Sequence, residues 1–219
     1  MRFVRGYEAV VMKNFLVVAD LHLGFELELE RKGIYVPHTE LIFNKLKLLL
    51  KITKSRGLVI LGDVKHMIRM PLEREIRIVR GLLRKLIELV PRIVIVKGNH
   101  DGKIEEICSD IDNLEIVDEF KLGRVTLVHG HRKPKKFTIL LMGHIHPLAP
   151  RFGEYEKAWM IATSEKRRIV VVPALSDLVG SPIPTSKREL KVISPVFRTI
   201  PIDRLVLYSL EGEYLGELD

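Results

Sequence analysis

Seven of the eight histidines in this 219-residue chain lie in five short clusters, at residues 20–22, 62–66, 98–101, 129–131 and 143–146. Each cluster also contains aspartate, asparagine or glycine, and each directly follows an apolar run that predicts a buried strand. Ligands of open α/β sheets bind at the carboxyl ends of the strands. Five distant segments of the sequence can therefore point at one site.

The donor atoms in these clusters suit divalent cations of hard or borderline character. They are the oxygens of Asp20, Asp63 and Asn99 and the imidazole nitrogens of His22, His129, His144 and His146. Seven donors are too many for one tetrahedral ion, whereas two ions that share Asp63 as a bridge would use all of them. Two ions about 3.5–4 Å apart can activate a hydroxide and stabilise in-line displacement at phosphorus. The oxygen-rich, thiol-free set favours two Mn²⁺ ions, with Ni²⁺, Fe²⁺, Zn²⁺ and Mg²⁺ as alternatives.

These five clusters, in this order, resemble the signature of the calcineurin-like metallophosphoesterases over about residues 15–175. The resemblance implies an α/β fold, a four-layer α/β/β/α sandwich with a dinuclear metal site at the strand ends, and we expect residues 1–219 to form one domain. It also implies two ligand sets. One metal would be held by Asp20, His22, Asp63 and His146, and the other by Asp63, Asn99, His129 and His144.

The resemblance further implies catalytic roles for residues beside the ligands. His100 would be the general acid that protonates the leaving oxygen, and Asp101 would orient it. The second cluster reads Gly-Asp-x-x-His and ends at His66, where many family members have aspartate. This variant is similar to the pattern of SbcD-type DNA-repair nucleases, whose extra histidine helps to place the scissile phosphate, and of short archaeal SbcD-related phosphoesterases. His66 could equally be a hydrogen-bonding neighbour of a ligand.

A basic segment at residues 132–136 begins three positions after His129. It would lie at the rim of the site, where His131, Arg132 and Lys133 could bind phosphates that flank the one cleaved. His131 could also be a neighbour of a ligand, and a solvated loop explains the basic run equally well. Four more basic residues adjoin the clusters and would attract anions: Lys65, Arg69, Lys97 and Lys103.

Apolar runs predict strands at 15–19, 58–61, 93–96, 125–128, 139–142 and 169–172. Helical spacing over 41–52 and 72–89 separates the first three strands, which is typical of right-handed crossovers in a parallel sheet. Helical spacing stops after about residue 114, and breaks at 122–124 and 211–213 predict hairpins. The second half therefore predicts a mainly antiparallel sheet, with a long surface loop at 173–201.

Composition limits the class of protein and its partners. The 36 basic and 28 acidic residues give a formal net charge of +8, which favours anionic partners. The lone Cys108 is expected to be a buried apolar residue in a reducing compartment, and the chain lacks an apolar run long enough for a membrane span, so we expect a cytoplasmic protein. The lack of glutamine indicates a thermophile composition. His38, outside the clusters, is expected at the surface or at a helix entry.

The sequence thus predicts a metal-dependent phosphoesterase that hydrolyses a phosphodiester in a nucleotide, DNA or RNA, using a hydroxide activated by two metal ions. Two alternatives stay open. One is a phosphomonoesterase or pyrophosphatase of the same fold, and the other is a scaffold protein that keeps the sandwich without catalysis. The oligomeric state is left open.

Overall fold

The first half of the chain forms a six-stranded sheet, in a computed structural model that describes residues 1–68, 71–179 and 186–219. The spatial order is β1 (Arg2–Phe3), β2 (Val10–Met12), β3 (Phe15–Val18), β4 (Gly57–Ile60), β5 (Ile93–Val96) and β6 (Leu114–Val117). Strands β3 to β6 are mutually parallel, whereas β1 and β2 form an antiparallel edge. The predicted parallel sheet is confirmed.

Helices cover the outer face of this sheet. They are α1 (Phe25–Glu30), α2 (His38–Thr53), α3 (Glu73–Ile87) and α4 (Ile104–Ile107), and the predicted helical segments fall on α2 and α3. Alternate strand residues such as Leu58 and Ile60 pack against apolar helix residues such as Leu46 and Leu83. Because successive side chains of a strand point to opposite faces, the intervening residues, such as Val59, lie on the opposite face of the sheet.

The second half forms an eight-stranded sheet of mixed direction. Its strands are β7 (Phe120–Leu122), β8 (Val125–Val128), β9 (Ile139–Met142), β10 (Leu148–Arg151), β11 (Glu154–Ser164), β12 (Arg167–Val171), β13 (Arg204–Ser209) and β14 (Tyr214–Glu217). The order is β14-β13-β11-β12-β9-β8-β7, and β10 pairs with β11. Five strand pairs are antiparallel, as predicted for most of this sheet, and the predicted hairpins join β7 to β8 and β13 to β14. The two parallel pairs, β8 with β9 and β9 with β12, lie in the centre.

The two sheets pack face to face around a second apolar layer. Val17, Val59 and Val94 of the first sheet contact a layer that includes Leu127 and Leu141 of the second. A third apolar layer covers the outer face of the second sheet and includes residues of helix α5 (Lys187–Ile193) and a 3₁₀ turn at Pro195–Arg198. The expected α/β/β/α sandwich is thereby confirmed.

Helix α5 corrects the expectation of a long loop over 173–201 and of no helix after about residue 114. Ser186 caps the helix by accepting a hydrogen bond from the Glu189 backbone N–H at 3.3 Å. The Ser-Lys-Arg-Glu segment has the capping-box pattern that marks a helix start, but the helix has only seven residues, too few for a clear apolar period. Residues 180–185 of the expected loop lie outside the described residues.

Two other single-residue expectations have different outcomes. Cys108 is buried at the end of α4, as expected. His38 is the first residue of α2, as a helix-entry residue should be, but the expectation of a surface position is wrong. Its ring is buried because Nε2 hydrogen-bonds the carbonyl oxygen of Leu21, at 3.0 Å. Within the described ranges, none of the helices has the length and apolar character to cross a bilayer.

A buried ionic cluster ties both sheets to the helical layer. The Oε1 atom of Glu8, before β2, accepts hydrogen bonds from Lys45 of α2 at 2.9 Å and Lys157 of β11 at 2.8 Å. Both ammonium groups also contact the carbonyl oxygen of Leu175, whose N–H donates to the carbonyl of Ala19 at 2.8 Å. The cluster therefore supports the backbone immediately before Asp20.

We expect Glu8→Gln to lower the free energy of unfolding by about 2 kcal/mol, because Lys45 and Lys157 then keep only the exposed carboxylate of Asp177 as an anionic partner. Chemical denaturation with the metal-free protein measures this change. Glu165→Gln, on an exposed turn, is the matched control and should alter stability by less than about 0.5 kcal/mol. Equal stability of the two variants would contradict the assigned role of the cluster.

Candidate metal centre

The five clusters meet where the carboxyl-terminal edges of the two sheets adjoin. Strands β3, β4 and β5 leave the first sheet at one edge because they are parallel, and β8 and β9 do the same in the second sheet. The backbone N–H of His144 donates to Asp20 Oδ2 at 3.0 Å. This hydrogen bond joins the strand ends of the two sheets directly.

Five of the seven expected ligands have a left-handed backbone, although none is glycine. The φ angle is 56° at Asp20, 48° at His22, 47° at Asp63, 73° at His144 and 48° at His146. Such conformations cost of order 1–3 kcal/mol each and occur mainly at functional sites. The sharp turns at these residues direct their side chains toward the site. A regular strand or helix would not direct them there.

Two glycines allow the ligand segments to approach closely. A Cβ atom at Gly143 would lie 2.6 Å from Asp20 Oδ2, and one at Gly98 would overlap the Asp63 carboxylate. Any larger residue would separate the segments, so these positions require glycine for space.

The expected ligands form two groups, each of which could hold a metal ion. One contains Asp20, His22 and His146, and the other contains Asp63, His129 and His144. Within each group the potential ligand atoms lie within 4.8 Å of one another. Asp63 Oδ2 lies 3.3 Å from His129 Nε2 and 3.8 Å from His22 Nε2. The Asp63 carboxylate is therefore located between the groups, where a bridging ligand must lie.

Hydrogen bonds fix which nitrogen of His129 faces the site. Its Nδ1 lies 2.9 Å from the carbonyl oxygen of Leu61, which requires a proton on Nδ1 and leaves Nε2 for the second group. Asn99 Oδ1 lies 3.0 Å from that Nε2. Asn99 thus adjoins the second group, as the ligand assignment requires.

The residues present fit divalent cations. Both ring nitrogens of His22 and Nε2 of His146 are buried without a hydrogen-bond partner among the described residues. Buried polar atoms are normally paired, and here the neighbouring atoms are carboxylate oxygens and further imidazoles. A bound cation would satisfy these orphaned nitrogens and offset the buried charge of Asp20 and Asp63.

The pKa values of the histidines also favour a site for divalent cations. Burial lowers the pKa of His22 to about 3, against the opposing charges of Asp20 and Asp63, so the ring is neutral and able to ligate at neutral pH. Burial would also lower the pKa of His129, but its hydrogen bond to Asp63 and the charges of Asp63 and Asp20 raise it to about 9. The charges that raise this pKa belong to Asp63 and Asp20, the buried carboxylates that a bound divalent cation would neutralise.

The expected general acid lies beside the first group. His22, His66 and His100 form a third cluster, and His100 Nε2 lies 3.9 Å from Asp63 Oδ2. The backbone N–H of His100 donates to Asp63 Oδ1 at 2.9 Å. The Nδ1 atom of His100 pairs with the carbonyl oxygen of His66, and His66 Nε2 lies 3.3 Å from Glu28 Oε2.

Asp101 has different partners from those that the resemblance implies. It is buried, and its carboxylate accepts hydrogen bonds from the backbone N–H groups of Val64 at 2.9 Å, Lys65 at 3.3 Å and Gly98 at 2.8 Å. These bonds hold the two loops that carry Asp63 and Asn99. In the structure a backbone carbonyl, that of His66, contacts the His100 ring in the place where a carboxylate was expected.

The sequence analysis did not identify Glu28 or Glu75 as residues near the site, and it did not predict that Lys65 is buried. Glu75 is fully buried on α3, four residues before the buried Val79. The burial of Glu75 could have been predicted from its position, because it lies on the apolar face of an amphipathic helix although it is charged. Lys65, expected to add surface potential, instead has its ammonium group at the carbonyl oxygen of Met67.

The basic segment after His129 lines a groove of about 810 Å³, and His129 of the second ligand group and His131 are also among the lining residues. Its charged residues are Lys97, Asp118, Glu119, Lys121, Arg132, Lys133 and Lys135, and Arg132 pairs with Asp118. Burial lowers the pKa of His131 to about 4, and its Nδ1 has no hydrogen-bond partner in the described part of the chain. Lys103 is exposed and pairs with Glu106, and Arg69 lies outside the described residues.

We expect Asp63→Asn to reduce the binding of both cations, because the shared carboxylate lies between the two groups. Metal content and calorimetric titration with Mn²⁺ measure the change, with Asp203→Asn at an exposed position as the control. Two ions per chain in Asp63→Asn, with unaltered affinity, would refute the bridging assignment.

Comparison with known proteins agrees with the fold. A family model described as calcineurin-like phosphoesterase matches residues 13–174. The crystal structure of the nuclease MPE of Pseudomonas putida is similar, with a TM-score of 0.64 and 22% identity over 92% of this chain and 88% of that one. YfcE, a phosphoesterase from E. coli, has a TM-score of 0.46 and 18% identity over 93% of this chain and 97% of that one. No curated protein matches the sequence.

The family match covers most of the chain, including all five clusters, and the structure unites the clusters at one edge of the sandwich. The chain therefore belongs to the calcineurin-like phosphoesterase family and is a hydrolase that acts on phosphate esters.

Proposed function

We propose that this phosphoesterase hydrolyses phosphodiester bonds in nucleic acid or in nucleotide-derived substrates. The observation that carries this proposal is the groove of about 810 Å³ lined by His129 and by the basic residues Arg132, Lys133 and Lys135. A single terminal phosphate would contact few of these side chains. A chain of phosphates would contact more of them, because basic side chains bind the phosphates that flank the scissile one.

Two divalent cations, with Mn²⁺ favoured, would be held by the residues of the two ligand groups. Asp20, His22, Asp63 and His146 would hold one, and Asp63, Asn99, His129 and His144 the other. When bound, such cations neutralise charge on phosphoryl oxygens and make water more acidic. Support comes from the unpaired buried nitrogens of His22 and His146.

His100 would donate a proton to the leaving oxygen. Its Nδ1 is engaged by the carbonyl of His66, so Nε2, on the side of Asp63, is the nitrogen available to substrate. The side chain is about one-fifth exposed, which allows contact with a bound ester. Proton donation from this position would assist departure of alkoxide groups, which are poor leaving groups without it.

His66 supports the proposed kinship with SbcD-type nucleases. Its ring contacts that of His22 edge to face, with the ring centroids 5.6 Å apart. Its Nδ1 is buried without a hydrogen-bond partner in the described residues. We propose that His66 contacts the scissile phosphate from the side opposite the basic groove.

We also propose that residues 1–219 act as one catalytic domain in the cytoplasm. Phe3 of β1 packs against Trp159 of β11, with ring centroids 4.6 Å apart, so the first strand contacts the second sheet. The buried, unoxidised Cys108 accords with a reducing compartment.

We expect His100→Ala to lower turnover of a phenyl phosphodiester by roughly 10²–10⁴-fold, the usual contribution of a general acid, and to affect bis-p-nitrophenyl phosphate much less, because p-nitrophenolate departs without a proton. Metal content should stay at the wild-type value, because His100 belongs to neither of the two groups that contain a carboxylate. Steady-state kinetics with parallel metal analysis tests this. Wild-type turnover in His100→Ala would remove the residue from the mechanism.

The double substitution Lys133→Ala/Lys135→Ala should weaken cleavage of an oligonucleotide and leave bis-p-nitrophenyl phosphate unaffected. The plot of log kcat/KM against log salt concentration should become shallower by about one for each lost phosphate contact. Lys51→Ala, on the opposite helical layer, is the control. Preference of the wild type for monoesters or pyrophosphate, with no effect of the groove substitutions, would favour the alternative activity.

A further inference from the structure

We propose that Glu75 is a positioning residue for His100 and acts through the backbone of His66, an inference that rests on the proposed function. Glu75 lies in the first turn of α3, belongs to neither ligand group, and is fully buried. Its Oε1 atom accepts a hydrogen bond from the backbone N–H of Met67 at 2.7 Å, and it shares the N–H of His66, at 3.0 Å, with the carbonyl oxygen of Leu23, at 2.9 Å.

These two bonds orient the peptide groups next to the expected general acid. With the N–H groups of His66 and Met67 directed at Glu75, the His66 carbonyl, which belongs to the same peptide unit as the Met67 N–H, is held facing the opposite way. That carbonyl accepts the hydrogen bond from Nδ1 of His100. The path from Glu75 to the ring thus consists of one planar peptide and two hydrogen bonds.

The ring orientation has a direct chemical consequence. A proton fixed on Nδ1 by the His66 carbonyl leaves Nε2 as the nitrogen that exchanges a proton with substrate. Without Glu75 the peptide between residues 66 and 67 can rotate, and the ring loses the acceptor that selects its tautomer. Asp101 cannot replace this function, because its oxygens are engaged by Val64, Lys65 and Gly98.

The surroundings hold Glu75 in one place. A Cβ atom on Gly24, whose φ is +93°, would lie 2.8 Å from Glu75 Cγ, so the glycine backbone packs directly against the side chain. Lys65 lies nearby and its positive charge stabilises the buried carboxylate. Glu75 Oε2 is buried without a hydrogen-bond partner among the described residues. An amide could therefore replace the carboxylate and keep Oε1 as the acceptor.

Three substitutions separate positioning from general structural support. Glu75→Leu keeps the side-chain volume but removes the acceptor, Glu75→Gln keeps the acceptor, and Glu73→Leu makes the same change at an exposed position of the same helical turn. Glu75→Met removes the acceptor with a more adaptable side chain and replaces Glu75→Leu if that variant does not fold.

The first measurement compares two phosphodiesters that differ only in the leaving group, phenol or p-nitrophenol. Loss of a correctly oriented acid harms the poorer leaving group, so Glu75→Leu should lose roughly 10²-fold in kcat on the phenyl ester and less than about 5-fold on the p-nitrophenyl ester. Glu75→Gln should recover most of the phenyl-ester activity, and Glu73→Leu should match the wild type. Equal losses on both esters, or no loss on either, would overturn the proposal.

The second measurement needs neither metal nor turnover. Long-range ¹H–¹⁵N spectra of the metal-free protein, with the His100 signals assigned by His100→Gln, report the tautomer of the ring. The neutral ring should carry its proton on Nδ1 in the wild type and in Glu75→Gln, and become a mixture of tautomers in Glu75→Leu. An unchanged tautomer in Glu75→Leu would overturn the proposal. A wild-type protein that cleaves neither ester would instead contradict the proposed function, and the spectroscopic result would still test the role of Glu75.

Discussion

The loop after β4 is held by two buried carboxylates that accept hydrogen bonds from four consecutive backbone N–H groups. Asp101 engages Val64 and Lys65, and Glu75 engages the next two residues. Burying a carboxylate is costly unless hydrogen bonds and opposite charge compensate it. Here one oxygen of each carboxylate receives two N–H groups, and the buried Lys65 lies beside both. This loop starts at Asp63, so its geometry fixes a member of the second ligand group that also lies 3.8 Å from His22 of the first.

The ligand residues have energetically unfavourable conformations and environments, and the rest of the sandwich stabilises them. Left-handed backbone conformations, close glycine contacts and unpaired buried imidazoles all occur at the same sheet edge. The apolar layers between the sheets and beneath the helices supply the stability that offsets these local costs. Asp20 and Asp63 are buried beside these imidazoles, at the point where a divalent cation would offset their charge.

The buried parallel strands and the two long helices were predictable because they have strong local signals. Their residues are continuously apolar or follow the helical period over many turns. The strands β1, β2, β6 and β10 and the short helices α1, α4 and α5 were not predicted, because each is too short to show a period. The long strand β11 was not predicted either, because its first four residues, Glu-Tyr-Glu-Lys, are mostly charged and do not continue the apolar run that follows them. The burial of Lys65 and His38 was not predicted, because no local period reveals the hydrogen bonds that accompany it: Lys65 bonds the carbonyl oxygen of Met67, and His38 that of Leu21.

The sequence by itself determined the chemical identity of the site: hard oxygen and imidazole donors, each placed at the end of a run that must form a buried strand. Residue type and local period are properties of short segments, so they can be read without a fold. Only the tertiary structure decided which donors share a group, which ring nitrogen faces inward, and that Asp101 and Glu75 hold backbone N–H groups. Those facts depend on distances between residues up to 126 positions apart, as for Asp20 and His146, and packing alone sets such distances.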